Sequence, residues 1–168
     1  MYFVTFILGT RPEAIKLAPV ILEFLESKKF NVRIILTGQH NEMVYQILNL
    51  FNISPDNDLK LMSPNQTLTH ITCASLNGLE KDFKIKRPDL VIIQGDTSTS
   101  FAGALAAFYS KISIAHIEAG LRTKNKFSPY PEEINRRLTS QLADLHFAPT
   151  KLAVKFDYTN IKFELELV

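Results

Sequence analysis

The stretch LVIIQGDTSTSFAGALAAFY, residues 90–109, joins an unbroken apolar run to a helical pattern through one glycine. Leu90–Gln94 predicts a buried strand, and Ser98–Tyr109 carries apolar residues at helical spacing. A buried strand followed by a turn and a helix is the repeating unit of a parallel sheet that helices cover on both faces. The fold therefore depends on whether this unit recurs.

The unit recurs along the whole chain. Further strands are predicted at Tyr2–Leu8, Val32–Thr37 and Ile112–Ile117, with weaker candidates at Leu59–Met62 and Leu145–Ala148. Helical spacing is found at Pro12–Ser27, Glu42–Phe51, Thr67–Phe83 and Pro131–Leu142. The alternation predicts an α/β fold with a doubly wound parallel sheet.

Composition excludes several classes of function. A net charge of +2 without a basic face argues against nucleic-acid binding. No apolar run approaches the ~18 residues of a membrane helix, and the start lacks the basic flank of a signal peptide, so we expect a cytoplasmic protein without a membrane partner. Cys73 is the single cysteine, which rules out a disulfide within the chain, and its apolar surroundings predict a core position.

Four of the six glycines directly follow a predicted strand: Gly9, Gly38, Gly95 and Gly120. In a doubly wound sheet these positions share one rim, at the carboxyl ends of the strands, where ligands bind. Glycine could also serve only to relieve strain in the turns. The four together make this rim the expected site.

Cations follow the first strand. Arg11 and Lys16 flank a glycine turn at the start of a helix, and free N–H groups beside two cations suit a phosphate. No GxGxxG follows this strand, and no GxxxxGK[ST] occurs, so neither a dinucleotide fingerprint nor a P-loop is present. The alternative is that both are ordinary surface charges.

Acids follow the later strands, and each has a structural alternative. Asp96 could cap a helix, Glu118 could pair with Arg122, and Glu132 suits both the helix dipole and an i,i+4 pair with Arg136. Carboxylates held close together can retain a proton near neutral pH. Acids and cations at one rim therefore suit proton transfer on an anionic, phosphorylated substrate.

Two other residues are given structural roles. Glu133 stands four residues before Arg137 in the first turn of the predicted helix, which accounts for it without a catalytic role. His116 alternates with Ile117 at the end of a buried strand, where a lone histidine is more often a hydrogen-bonded core residue than a catalyst.

Five motifs carry a resemblance to a known family: GTRPEAIKLAPVI, TGQHNEM, GDTSTSFAGALAAFY, HIEAGLRT and SPYPEEINRRLT. They occur in the order found in the bacterial, non-hydrolysing UDP-N-acetylglucosamine 2-epimerases, and the resemblance runs from Val4 to about Thr150. It implies a Rossmann-like domain over residues 1–150, the N-terminal half of a glycosyltransferase-B-like two-domain fold. Residues 151–168 are expected to be a divergent tail with strand-like alternation near its end, and the second domain is expected to be absent.

The resemblance also implies an activity. Members interconvert UDP-N-acetylglucosamine and UDP-N-acetylmannosamine by anti elimination of UDP and its re-addition, with no cofactor or metal in the chemistry. The matching acid/base carboxylates are Asp96, Glu118 and Glu132. Arg11 and Lys16 match the positively charged turn near the nucleotide, and the cations of the loop, Arg122 among them, would hold substrate or pair with the acids.

A regulatory site and several alternatives complete the expectations. Many members bind a second UDP-N-acetylglucosamine as activator, and Gln39 and His40 stand in the corresponding segment, where Asn41 replaces an arginine. The chain could be half of an epimerase that needs a separately encoded second domain, a non-catalytic remnant, or a sugar-nucleotide-binding regulatory module. Glycosyltransferase chemistry is the alternative reaction, and a homodimer is the expected assembly.

Overall fold

The structure, a computed structural model, describes residues 1–38, 41–61, 63 and 65–156. Six strands form one sheet: β1 Tyr2–Leu8, β2 Phe30–Leu36, β3 Asn57–Asp58, β4 Leu90–Gln94, β5 Ser113–Ile117 and β6 Leu145–Phe147. Every paired strand is parallel, and the order is β3-β2-β1-β4-β5-β6. The predicted doubly wound Rossmann-like sheet is confirmed.

Six helices connect and flank the strands. They are α1 Arg11–Glu26, α2 Asn41–Leu50, α3 Leu68–Ile85, α4 Ser98–Tyr109, α5 Glu132–Leu142 and α6 Lys151–Phe156. The chain moves outward from β1 through β2 to β3, returns to β4 beside β1, and then moves outward the other way. The loops after β1 and β4 therefore diverge at the switch point of the sheet, where such folds bind ligands.

The core has two layers, one on each face of the sheet. Phe6 and Leu8 of β1 pack in the layer that α1 and α2 cover, whereas Ile7 packs in the layer that α3 and α4 cover. Successive side chains of a strand point to opposite faces, so an unbroken apolar strand fills both layers. This is why β1 contains no polar alternation after Thr5.

Two predictions differ from the structure. The strand predicted to begin at Leu59 lies instead at Asn57–Asp58, at the β3 edge of the sheet. Lys60 takes a φ of +51° and interrupts the extended conformation of the predicted run. Leu59 still donates its N–H to the Leu36 carbonyl at 2.8 Å. Cys73 is exposed on α3, so its predicted core position is wrong.

The described part of the expected tail is helical. Residues 151–156 form α6, and Ala153 is buried against the turn at Gly120, whose φ is +83°. A Cβ at Gly120 would overlap the Ala153 carbonyl, so only glycine permits this approach. The strand-like alternation expected at 161–167 lies outside the described residues. No helix that the structure describes is long and apolar enough to cross a membrane.

Candidate active site

The switch point between β1 and β4 is built from two close turns. Gly9 directly follows β1, and a Cβ there would overlap the hydroxyls of Thr37, after β2, and Thr99, in the first turn of α4, so glycine allows these elements to approach. Asp96 lies in the turn after β4, and Glu118 lies in the turn after β5. The structure thus places the predicted acids at the carboxyl rim.

Arg136 of α5 joins the two acids. One guanidinium nitrogen, Nη2, lies 2.5 Å from Asp96 Oδ2 and 3.9 Å from Glu118 Oε2. The other, Nη1, donates to the Glu118 backbone carbonyl. Arg136 is only 5% exposed, so its charge is screened little by water and both acids face one buried cation.

Glu118 has two further donors. Lys16 Nζ lies 2.6 Å from its Oε1, and the Gln94 amide donates to its Oε2 at 2.5 Å. The residue also has a φ of +64°, a left-handed conformation that costs a non-glycine residue about 1 kcal/mol or more. Its carboxylate is therefore held in one orientation by contacts from three separate elements, α1, β4 and α5.

Glu132 behaves differently from the other two acids. It begins α5 one turn before Arg136, yet Arg136 turns towards Asp96 and Glu118 rather than forming the expected i,i+4 pair. Its Oε2 is buried without a hydrogen-bond partner among the described residues. A buried carboxylate oxygen without a donor is costly, and such groups concentrate at functional sites.

The predicted binding cations occupy different positions. Arg122 donates to the Leu121 carbonyl at 2.8 Å and to the Ser140 hydroxyl at 2.9 Å. It also lines, with Asp96 and Arg136, a cavity of about 210 Å³. Arg11 is exposed, and its guanidinium forms no hydrogen bond or ion pair with any residue that the structure describes.

Glu13 is a buried residue that the sequence interpretation missed. Its Oε2 accepts from the N–H groups of Gly9 at 2.6 Å and Thr10 at 2.8 Å, and its Oε1 accepts from the Thr97 hydroxyl. Burial raises the pKa of this carboxyl, and the hydrogen bonds oppose the rise. The expected free N–H groups of this turn are therefore not free.

Two structural interpretations agree with the contacts. Glu133 accepts from Arg137 Nε at 2.7 Å and from the Thr123 N–H at 2.9 Å. His116 is fully buried, and its Nε2 lies 2.7 Å from the Gly95 carbonyl oxygen. The predicted regulatory residues Gln39 and His40 lie outside the described residues.

Arg136 was missed as well, because the i,i+4 rule assigned it to Glu132. Gln94 was predicted only as the last residue of a strand. Its position at the carboxyl end of that strand, where α/β folds bind ligands, was the signal that could have identified it as a site residue. The described residues include no group of three histidine, cysteine, aspartate or glutamate side chains that could hold a metal ion.

Fold and site together define a Rossmann-like α/β domain with a cluster of acids and cations beside its switch point. Residues 23–156 match the family model described as UDP-N-acetylglucosamine 2-epimerase, and the chain belongs to that family.

Individual relatives agree with this assignment. The UDP-N-acetylglucosamine 2-epimerase of Bacillus subtilis is 52% identical over 144 residues, which cover 86% of this chain and 38% of that protein. A crystal structure of UDP-GlcNAc 2-epimerase from Neisseria meningitidis bound to UDP-GlcNAc superimposes with a TM-score of 0.89 at 50% identity, covering 94% of this chain and 42% of that one.

A more distant structure shares the fold alone. MurG of Acinetobacter baumannii is 15% identical, with a TM-score of 0.60 over 88% of this chain. The chain spans about two fifths of the length of the epimerases that it matches.

Proposed function

We propose that this chain is the carboxylate-bearing part of a UDP-N-acetylglucosamine 2-epimerase, with Asp96, Glu118 and Glu132 as its acid/base groups. The observation that carries the proposal is the shared contact of Arg136 with Asp96 and Glu118. The contact holds two acids from different strands at the rim where α/β sheets bind ligands. Membership of the family supports the substrate, UDP-N-acetylglucosamine, and the product, UDP-N-acetylmannosamine.

The proposed reaction divides into elimination and re-addition. A carboxylate takes the proton from C-2 of the sugar while the C-1–oxygen bond breaks, and UDP leaves with that electron pair. The new double bond joins C-1 and C-2. UDP then adds back at C-1, and a proton is delivered to the opposite face of C-2, so that no net oxidation occurs and no redox cofactor is required.

We assign the first proton transfer to Glu132. Its Oε2 has no donor among the described residues, so a proton taken there breaks no existing hydrogen bond. Both oxygens of Glu118, by contrast, already accept hydrogen bonds, and Asp96 Oδ2 is paired with Arg136. We assign Asp96 and Glu118 to holding the sugar and handling the second proton.

The cations support the binding of an anionic substrate. Lys16 is 47% exposed at the side chain while contacting Glu118, and Arg11 is exposed. The rim cavity lined by Arg122 holds about 210 Å³, less than the roughly 300–1,000 Å³ typical of small-ligand sites. The described domain therefore supplies part of a cleft, and a second domain supplied in trans is the proposed partner.

A homodimer is the proposed assembly. Two grooves of about 630 Å³ each flank the carboxyl end of α4, away from the acid cluster. Tyr109, 70% exposed, lines both grooves, and Phe108, 54% exposed, lines one of them. Exposed aromatic side chains beside a groove favour a protein contact. The second, regulatory UDP-N-acetylglucosamine site at Gln39 and His40 remains a proposal from the family resemblance.

Proton NMR of UDP-N-acetylglucosamine in D₂O tests the activity. The chain is incubated with substrate, alone and with the remaining part of the Bacillus subtilis relative added as a separate polypeptide. We expect loss of the C-2 proton signal and growth of UDP-N-acetylmannosamine signals in the mixture, and neither change with Glu132→Gln. A folded mixture that leaves the C-2 proton untouched contradicts the epimerase proposal and favours a binding module.

A further inference from the structure

The Glu13 carboxylate lies where many α/β folds hold a phosphate. The N–H groups of Gly9 and Thr10, at the start of α1, both donate to its Oε2, at 2.6 and 2.8 Å. N–H groups at this turn, directly after the first strand, are those with which dinucleotide-binding folds hold a diphosphate. In this chain the Glu13 side chain, three residues after Thr10, already accepts hydrogen bonds from these N–H groups.

The carboxylate is also tied to the other turn of the switch point. The Thr97 hydroxyl, beside Asp96, donates to Oε1, so one carboxylate bridges the loops after β1 and β4. Glu13 is 1% exposed, and no residue in the described ranges forms an ion pair with it. Three hydrogen bonds therefore compensate a buried charge that no cation neutralises.

We propose that Glu13 is a specificity-determining residue, which fills the anion-binding turn between β1 and α1 with a carboxylate of the chain itself and thereby excludes phosphate groups from the Gly9 and Thr10 amides. The diphosphate of a sugar nucleotide must then be held by side chains. Arg11, exposed directly beside the turn, is suited to this. The exclusion of free phosphate is independent of the activity, whereas the consequence for a sugar nucleotide rests on the proposed function.

Three substitutions distinguish the effect of filling the turn after β1 from the effect of removing a negative charge. Glu13→Gln keeps the volume and one acceptor oxygen for the two N–H groups, so the turn stays filled. Glu13→Ala vacates a space the size of acetate and leaves the donors open. Glu23→Ala, on the exposed face of the same helix, removes one negative charge without touching the turn and is the matched control.

The experiment is a titration of ¹⁵N-labelled chain with inorganic phosphate, and separately with acetate, at constant ionic strength. The Gly9 and Thr10 amide resonances are followed. We expect no saturable shift in the unmodified chain, in Glu13→Gln or in Glu23→Ala. In Glu13→Ala, both amides should shift with either anion, and the thermal midpoint should rise with anion concentration, as ligand linkage requires.

A saturable phosphate shift at Gly9 or Thr10 in the unmodified chain would overturn the proposal, whatever the variants do. Absence of any anion-dependent shift in a well-dispersed spectrum of Glu13→Ala would overturn it too. If Glu13→Ala does not fold alone, recovery of its dispersed spectrum in acetate supports the proposal and failure to recover contradicts it. None of these outcomes depends on epimerase turnover, so loss of the proposed activity would be seen separately.

Discussion

The two ends of the sheet use acidic residues in opposite ways. Three aspartates stand directly before strands: Asp89 and Asp144 at the amino end of the sheet, and Asp56 before the short β3, which pairs only with the last two residues of β2. Each accepts the N–H of one residue of the neighbouring strand at 2.8 Å and donates its own N–H to that residue's carbonyl at 2.8 to 2.9 Å. The backbone partners are Phe3, Ile34 and Ile114. These acids fix the start of a strand.

At the carboxyl ends, the two acids that follow β4 and β5 meet side chains instead, whereas Glu13 accepts the N–H groups of the turn after β1. Asp96 and Glu118 share Arg136, and Glu118 also binds Lys16. Side-chain cations can exchange one anion for another, whereas a backbone clamp is part of the sheet. The partner of an acid, more than its residue type, therefore distinguishes a structural acid from a ligand-binding one.

The largest expected effect comes from removing the buried cation. We expect Arg136→Met to lower the free energy of unfolding by about 3 kcal/mol, the lower end for a broken buried pair, because the two acids remain partly exposed. Urea denaturation measures it. Lys84→Met, which breaks an exposed pair with Glu80, is the control and should leave the midpoint unchanged. Equal losses in the two variants would remove the contrast between buried and exposed pairs.

An intermediate effect is expected at the amino rim. Asp89→Ala should lower the free energy of unfolding by about 1.5 kcal/mol, because a charge-assisted hydrogen bond to the Phe3 N–H is lost. Ligand binding should not change. Glu26→Ala is the control, because the exposed Glu26 side chain forms no hydrogen bond with any residue that the structure describes. A change in UDP-N-acetylglucosamine affinity in Asp89→Ala would show that the two rims are not functionally separate.

A smaller effect depends on pH. Burial raises the pKa of Glu13 above its ordinary 4.5, so the folded chain binds this proton more tightly than the unfolded chain does. Its contribution to stability therefore falls as pH rises from 4.5 through the raised pKa. The difference in unfolding free energy between the unmodified chain and Glu13→Gln should decline over this window. A difference that stays constant or grows would contradict the burial argument.

The smallest effect on stability is expected from Lys16→Met. Its pair with Glu118 is about half exposed, so the loss should stay under about 1 kcal/mol. Binding of UDP-N-acetylglucosamine should nevertheless weaken, because Lys16 is a proposed substrate cation. Calorimetric titration and urea denaturation of the same samples measure both quantities. Unchanged affinity would make Lys16 an ordinary surface charge, the alternative that its spacing alone left open.

Much of the fold follows from sequence because strand and helix periodicity are local. Leu90–Gln94 and Ser98–Tyr109 were predicted with the bounds that the structure has, since an unbroken apolar run and helical spacing define them. The cap of the helix is Thr97, one residue after the Asp96 that the sequence suggested. Strand β3 was predicted at the wrong position, because it pairs with a neighbour on one side only and the left-handed conformation of Lys60 limits its length. Cys73 was placed wrongly because apolar neighbours along the chain do not determine which face of α3 is buried.

The candidate site was only partly accessible to sequence reasoning. The rim position of Asp96 and Glu118 follows from strand order, which short motifs can indicate. The choice of Arg136 between Glu132 and the distant Asp96 depends on how α5 packs on the sheet, and local spacing favoured the wrong partner. Glu13 was overlooked, although it stands three residues after Thr10, the spacing of a capping box in which the glutamate accepts the N–H of the N-cap residue.

The most direct measurement is a ¹⁵N-resolved titration of the chain with UDP-N-acetylglucosamine. We expect saturable shifts at the amides of Gly95, Asp96, Glu118 and Gly120, with the amides of Asp89 and Asp144 unchanged. Saturable shifts confined to the amino rim, or none at the carboxyl rim at millimolar ligand, would contradict the assignment of the two rims.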